Sequence, residues 1–147
     1  MENLQNSDER LVVTFLVAGN LCGLEAGHIQ EVVKMTEITR VYSAKEHIAG
    51  IMNLRGKIVC VLDLAAQLGL GTQSRNEESR ILIIQNKKES IGLIVDAVLY
   101  TYYLDEKQHK ANPGNMKHFA ESVLKGIYAN QDDHISVLDL ELILANG

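Results

Sequence analysis

Short apolar runs, rich in β-branched residues and separated by turn residues, recur along nearly the whole chain. The first run, 11–17, is followed by a turn at Gly19 and Asn20 and then by a second apolar run. A similar pair of runs, 80–85 and 90–95, flanks a polar segment. Strands of five to eight residues interrupted by turn signals favour a barrel or sandwich over a parallel sheet with helices. The sequence therefore predicts a mainly β fold with two β-hairpins.

The other strands and two short helices are predicted from local patterns. Further strands are predicted at 58–62, 100–104, 124–128 and 134–138. Ser43 and Glu46 fit a capping box, in which two side chains each satisfy a backbone amide at the start of a helix. The apolar residues that follow at helical spacing are Ile48, Ile51 and Met52. A second small helical face is predicted from the spacing of Ile29, Val32 and Val33.

Aspartates follow several of the apolar strands. Asp63 and Asp139 are each predicted to cap a short helix, because an aspartate side chain accepts hydrogen bonds from the first free amides. The inward-facing residues of the second helix would be Leu140, Ile143 and Leu144. Asp63 and Asp96 could instead be phosphoacceptors of a receiver domain, but that chemistry needs an early acidic pair and long alternating helices. Because the sequence shows neither, capping is favoured.

The chain contains an internal repeat. Val-Leu-Asp-Leu at 61–64 recurs at 137–140, and Gly-Leu at 23–24 recurs at 92–93, in the same order and at similar offsets. This pattern predicts two small, packed β-barrels with approximate limits 11–72 and 79–147, joined by a polar connector. Strands could cross between these halves. A groove between two packed barrels would be available for binding.

The charge balance argues against nucleic-acid and membrane partners. Fourteen basic and nineteen acidic residues give a net charge of −5, whereas nucleic acids and acidic membranes need a basic footprint. No apolar run approaches the roughly 18 residues of a membrane helix. The polar terminus 1–10 is predicted to be flexible and not a signal peptide. Cys22 and Cys60 are predicted to be free, buried thiols of a soluble cytoplasmic protein.

A search for catalytic and cofactor-binding patterns finds little support for either. The five histidines and two cysteines do not fall at metal-ligand spacing. No glycine-rich phosphate loop opens a helix, and no Gly-x-Ser-x-Gly elbow occurs. We therefore expect no metal, no cofactor and no enzymatic activity. A barrel that binds a small ligand is a less favoured alternative, because it needs converging polar groups.

Two charged residues lie beside apolar ones near predicted turns. The guanidinium of Arg55 could project from the turn as a binding group, or its stem could pack over Leu54 and Met52. Glu31, next to Val32, is either a solvated position or a rim charge beside an exposed apolar strip. The residues alone leave both choices open.

The segment 50–64 resembles the signature of the CheW chemotaxis coupling proteins and of the related regulatory domain of the histidine kinase CheA. It reads Gly-Ile-Met-Asn-Leu-Arg-Gly-Lys-Ile-Val-Cys-Val-Leu-Asp-Leu. The likeness continues through 29–32, 38–41, 91–98 and 135–144, and the CheW-like domain is expected to span 11–147. Cys60 departs from the family pattern, which commonly has proline there. The resemblance implies an all-β fold with short helices, consisting of two packed five-stranded barrels of Src-homology-3 type.

The resemblance also implies a function. It is that of a stand-alone, non-enzymatic scaffold in the cytoplasm that couples methyl-accepting chemoreceptors to CheA in membrane receptor arrays. Its partners would be the helical cytoplasmic tip of the receptor and the regulatory domain of the kinase. A coupling protein of a pilus-motility or other chemosensory-like pathway is the alternative. The receptor-binding residues that the resemblance implies are Ile29, Glu31, Val32, Gly50, Leu54 and Arg55, and it assigns no kinase-binding residues.

Overall fold

Eleven strands form two sheets within residues 10–42, 44–71, 75–110 and 123–145, the part of the chain that the computed structural model describes. The strands are β1 (Arg10–Val17), β2 (Asn20–Glu25), β3 (Ile29–Lys34), β4 (Ile48–Leu54), β5 (Lys57–Asp63), β6 (Arg80–Asn86), β7 (Glu89–Val95), β8 (Ala97–Leu104), β9 (His109–Lys110), β10 (Leu124–Asn130) and β11 (Asp133–Leu138). Helices α1 (Leu64–Gln67) and α2 (Leu140–Ala145) are short, as are two 3-10 turns at Ala26–His28 and Glu106–Gln108. The predicted mainly β fold class is confirmed.

The two sheets repeat one arrangement of strands. The first has the order β8-β1-β2-β11-β10-β9, and the second has the order β3-β6-β7-β5-β4. In each, a hairpin pairs in parallel with a strand of the other half: Gly23 of β2 lies opposite Val137 of β11, and Gly92 of β7 lies opposite Val61 of β5. The hairpins β4–β5 and β10–β11 share the same shift in register at equivalent positions. These matches confirm the internal repeat.

Each sheet combines a hairpin from one half of the chain with strands from the other half. Hairpin β1–β2 lies with β8, β10 and β11, whereas hairpin β6–β7 lies with β3, β4 and β5. Only Asp96 separates β7 from β8, and a tight hairpin usually needs a two-residue loop. The chain therefore continues into the other sheet after β7. The predicted limits 11–72 and 79–147 do not correspond to the two sheets, since the strands cross between the halves.

Each half of the chain gives a hairpin to the sheet that contains strands of the other half. Because of this exchange of hairpins, neither half is expected to fold alone. A fragment 1–72 has hairpin β1–β2 without its partners β8 and β11, and a fragment 75–147 has those partners without the hairpin. Isolated hairpins are marginally stable in water. We expect each fragment to give the circular dichroism spectrum of an unfolded chain, and their mixture to recover a cooperative thermal transition. Separate fragments that each unfold cooperatively would contradict the exchanged arrangement.

A shared cluster of buried side chains lies between the two sheets. It includes Phe15 and Leu24 from the first sheet, Leu82 and Leu93 from the second, and Ile143 from α2. Each sheet also has a smaller cluster of its own. Since a barrel of about 60 residues buries only a small core, the shared cluster supplies stability that neither barrel has by itself.

The two predicted helical segments in the first half are wrong. The residues predicted to form a helical face at 29–33 belong to β3, which pairs with β6. Those predicted at 48–52 belong to β4, which pairs with β5. Apolar residues three or four apart in so short a run fit a strand as well as a helix, and pairing with a neighbouring strand decides between them. Ser43 of the predicted capping box lies outside the described residues.

The two predicted aspartate caps are confirmed. The Asp63 side chain accepts a hydrogen bond from the backbone N–H of Ala66 at 3.1 Å, at the start of α1. The Asp139 side chain accepts one from the N–H of Leu142 at 3.2 Å, in the first turn of α2. The three predicted inward-facing residues of α2 all pack in or against the shared cluster.

Two segments predicted to be irregular include strand residues. Arg10, assigned to the flexible terminus 1–10, belongs to β1 and pairs with Leu104, while 1–9 lie outside the described residues. The segment 105–122, whose low apolar content predicts a long loop, begins with the turn Glu106–Gln108 and with β9, which pairs with β10. Its remaining part, 111–122, lies outside the described residues.

Cys22 on β2 gives the fold a dependence on alkaline pH. Its side chain is fully buried, and burial, reinforced by the charge of Asp96, raises the pKa of its thiol from 9.0 to about 12. Above pH 9 the unfolded chain therefore loses a proton that the folded chain keeps, so stability present below pH 9 falls as the pH rises. Between pH 8 and 10 we expect urea denaturation to show a loss of about 1 kcal/mol more in the wild type than in Cys22→Ala. Equal losses in the two proteins would contradict this.

Candidate functional site

A surface depression of about 460 Å³ lies where β3, the β4–β5 turn and hairpin β6–β7 meet. Its lining residues are Gln30, Glu31, Leu54, Arg55, Lys57, Gln85 and Ser90. Three of the six residues predicted to bind a partner are thus brought together: Glu31, Leu54 and Arg55. We take this depression as the candidate site.

The two outer strands of the second sheet approach each other at this depression. Although β3 and β4 are at opposite ends of the strand order, Glu31 of β3 forms an ion pair with Arg55, the residue that follows β4. Thr39, which lies after β3, also pairs with Ile51 of β4. The second sheet therefore curls into a barrel, as the resemblance implies.

A tight turn holds Arg55 in place. Arg55 and Gly56 both have positive φ angles, 51° and 88°, the pattern of a two-residue turn that matches the twist of the strands it joins. The backbone N–H of Gly56 donates to the Asn53 side-chain oxygen at 2.9 Å. The same left-handed conformation occurs at Ala18, Lys87 and Gln131 in the other hairpin turns, so the turn itself requires it.

The Glu31–Arg55 ion pair is exposed to solvent. The side chain of Arg55 is 68% exposed and that of Glu31 is 34% exposed. The hydrogen bond and the negative charge of Glu31 raise the pKa of Arg55 above its ordinary value. The guanidinium thus projects from the turn and meets the charge of Glu31.

A β-bulge brings two adjacent side chains of β3 into the depression. The register between β3 and β6 shifts between Ile29 and Glu31, so Gln30 and Glu31 both line the depression. Neighbouring residues of a regular strand would point to opposite faces. The Gln30 amide donates to the Gln85 side-chain oxygen at 2.6 Å, and the Ser90 hydroxyl donates to the Gln30 side-chain oxygen at 3.3 Å. These bonds tie the bulge to hairpin β6–β7.

The other three predicted binding residues do not line the depression. Val32, next to Glu31, is 42% exposed, while Ile29 is half-buried against the shared cluster. Gly50 is buried, and a Cβ atom placed on it would lie 2.2 Å from the carbonyl oxygen of Thr39. The geometry therefore gives Gly50 a structural role, since it permits the close approach of the Thr39 backbone to β4.

A second depression of about 580 Å³ lies beside the first, where the two sheets meet. Its lining includes Gln85 and Lys87 from hairpin β6–β7 and the apolar side chains of Leu140 and Leu144 from α2. Because Gln85 lines both depressions, they form one surface that runs from Arg55 to α2. The second depression lies between hairpin β6–β7 and α2, whereas all residues that line the first belong to the second sheet or its β4–β5 turn.

Sequence reasoning missed four residues of the site: Gln30, Lys57, Gln85 and Ser90. Lys57 directly follows the turn that holds Arg55, so its position in the β4–β5 hairpin could have indicated that it lies near Arg55. Gln85 and Ser90 lie on a hairpin from the other half of the chain, and no local pattern connects them with Arg55.

The depression offers charges and hydrogen-bonding groups for recognition. Arg55 and Lys57 are exposed cations, and Gln30 and Gln85 are exposed amides. Within the described residues, no group of three or more His, Cys, Asp or Glu side chains could hold a metal ion. The helices in that part of the chain are too short to span a membrane. The arrangement can bind a polar or charged surface feature of another molecule.

Comparison with known proteins finds one family throughout. The model of the CheW-like domain matches residues 11–147. The chain is 25% identical over 136 residues to the chemotaxis protein CheW of Bacillus subtilis, covering 92% of this chain and 86% of that protein. It is 27% identical over 86 residues to the protein PilI of Pseudomonas aeruginosa, covering 58% of this chain and 48% of that protein. The crystal structure of the scaffolding protein TtCheW from Thermoanaerobacter tengcongensis matches with a TM-score of 0.83 and 32% identity, over 97% of this chain and 92% of that one.

Proposed function

This chain belongs to the family of CheW-like domains, and from that membership we propose that it is a non-enzymatic scaffold of chemotaxis. It couples the helical cytoplasmic tip of chemoreceptors to the regulatory domain of the histidine kinase CheA. It works in the cytoplasm and is recruited to receptor arrays at the membrane. The observation that carries the proposal is the family match over residues 11–147, which includes both sheets.

The geometry of the candidate site supports a receptor helix as one partner. A helix that binds in a groove needs an apolar strip with polar or charged groups along its rim. Leu54 and, in the adjoining depression, Leu144 supply half-buried apolar side chains. Glu31 and Arg55 supply exposed charges at one rim. We propose that the receptor helix lies along this surface, with Val32 at its margin.

A coupling protein of a pilus-motility or other chemosensory-like pathway is the alternative proposal. It is less well supported, because the match to PilI covers 58% of this chain, whereas the match to CheW of Bacillus subtilis covers 92%. A small-ligand-binding barrel is also less well supported. Such sites bury most of their ligand, whereas the lining residues Arg55, Lys57 and Gln85 are exposed.

Co-sedimentation with receptor-containing membranes tests the proposal. Membranes carrying a chemoreceptor are mixed with CheA, with and without this chain, and the pelleted kinase is measured. We expect the kinase to sediment in substantial amount only when receptor and chain are both present. The chain must contact the receptor and the kinase at the same time to bring the kinase into the pellet. Membranes without receptor are the control. Kinase that sediments equally without the chain would contradict the coupling function.

A further inference from the structure

The candidate depression contains more hydrogen-bond donors than acceptors. The side-chain acceptors of Glu31, Gln85 and Gln30 are already engaged by neighbours. The carboxylate of Glu31 pairs with Arg55, the oxygen of Gln85 accepts from Gln30, and the oxygen of Gln30 accepts from Ser90. The Gln85 amide in turn donates to the backbone oxygen of Lys87 at 2.8 Å.

The donors, in contrast, exceed the partners that the chain supplies. A guanidinium carries five N–H groups and an ammonium carries three, and the bond to Glu31 uses one side of the Arg55 guanidinium. Lys57 is exposed, and no ion pair involves it among the residues that the structure describes. In a chain of net charge −5, the depression thus presents positive charge that its single carboxylate does not balance.

We propose that this depression is a carboxylate-binding subsite, and that the helix it receives presents an aspartate or glutamate side chain to Arg55 and Lys57. The assignment rests on the proposed function, which supplies a helix as the partner. It adds that this helix carries an acidic side chain at one position. A guanidinium fork binds a carboxylate through two parallel hydrogen bonds, and the neighbouring ammonium adds a second charge.

A carboxylate is favoured because of what a helix can offer. Its backbone carbonyls are used within the helix, so the acceptor must come from a side chain. Among helix side chains, only aspartate and glutamate combine two acceptor oxygens with a negative charge. Glu31 already binds one side of the Arg55 guanidinium. The additional positive charge of Lys57 therefore favours a carboxylate over a neutral amide at this position.

A double-mutant cycle tests the subsite. The probe is a purified receptor cytoplasmic-tip fragment in which each exposed Asp or Glu is changed, one at a time, to Asn or Gln. Its affinity is measured by calorimetry against the wild type and Lys57→Met. For one acidic position we expect about a tenfold loss against the wild type and only about a threefold loss against Lys57→Met, because in that background only the contact with Arg55 remains to be lost. Lys34→Met, an exposed lysine of β3 outside the depression, is the matched control and should behave as the wild type.

The outcomes separate this assignment from the proposed function. If the fragment binds the wild type but every acidic position gives the same loss in both backgrounds, the carboxylate subsite is overturned while the receptor contact stands. If Lys34→Met reproduces the behaviour of Lys57→Met, the effect is one of overall charge, and the subsite is again overturned. If the wild type does not bind the fragment at all, the receptor contact itself fails, and the subsite fails with it.

Discussion

The replacement Gly50→Ala is expected to lower the free energy of unfolding by about 3 kcal/mol or more, which is at the upper end for a single substitution. The added Cβ would lie 2.2 Å from the carbonyl oxygen of Thr39 and 2.8 Å from its carbonyl carbon. Both atoms belong to the backbone, so no side-chain rotation can relieve the contact. Gly50 also has a φ of 149°, a conformation that residues with a side chain rarely adopt. Urea denaturation followed by circular dichroism measures the loss.

Three other glycines provide matched controls for Gly50→Ala. Gly27 has open space around a Cβ and no positive φ, so Gly27→Ala should leave stability nearly unchanged. Gly56 has open space but a φ of 88°, so its alanine variant should lose about 1 kcal/mol. At Gly126, the equivalent of Gly50 in the first sheet, the Cβ would meet the His109 side chain, which can move. If Gly50→Ala were as stable as Gly27→Ala, the close approach at Thr39 would be contradicted.

Arg55→Glu is expected to weaken binding of a receptor tip fragment by about 100-fold while leaving the fold intact. The substitution removes the positive charge that faces the partner, and it places a like charge beside Glu31, whose ion pair it breaks. Like-charge contacts across an interface cost far more than a lost rim contact. The fold should persist because the Arg55 side chain is 68% exposed. Calorimetry gives the affinity, and circular dichroism with thermal unfolding checks the fold.

Two further variants identify the cause of that loss. Lys34→Glu makes the same charge change on β3 outside the depression, and we expect it to change affinity by less than about threefold. The exchanged pair Glu31→Arg with Arg55→Glu restores attraction between the two side chains but moves the positive charge to β3. We expect this double variant to keep the fold without recovering full affinity. An Arg55→Glu variant that binds as tightly as Lys34→Glu would remove Arg55 from the binding surface.

Local patterns in the sequence predict the elements whose cause is local. Turn residues locate the hairpins β1–β2 and β6–β7, and the aspartates at 63 and 139 locate the starts of α1 and α2. Repeated segments reveal the duplication, because each repeat must satisfy the same packing and turn requirements. These features depend on residues within a few positions of one another. Such features can be inferred without coordinates.

The exchange of hairpins between the halves depends on contacts that no local pattern shows. Gly23 pairs with β11 more than 100 residues later, although an equivalent strand, β5, lies closer in sequence. The segments 29–33 and 48–52 fail as helices for a related reason, since their strand character comes from pairing with β6 and β5. The local spacing of apolar residues fits either state, and tertiary pairing selects one.

Some residues of the candidate site can be predicted from the sequence and others cannot. Glu31, Leu54 and Arg55 are found from the resemblance and lie together in the structure. Gln85 and Ser90 join them only because hairpin β6–β7 is placed beside β3 by the exchange. Gly50 is assigned to binding by the resemblance, but its burial against Thr39 indicates that its influence on a partner would act through the shape of β4.

We propose that the receptor helix binds on the surface between Arg55 and α2. Nuclear magnetic resonance tests it most directly, with the ¹⁵N-labelled chain titrated by an unlabelled receptor tip fragment. We expect the largest changes in amide chemical shift at Gln30, Glu31, the turn from Leu54 to Lys57, and Gln85. Changes concentrated instead on β8, in the other sheet and outside both depressions, with the turn at Arg55 unaffected, would contradict it.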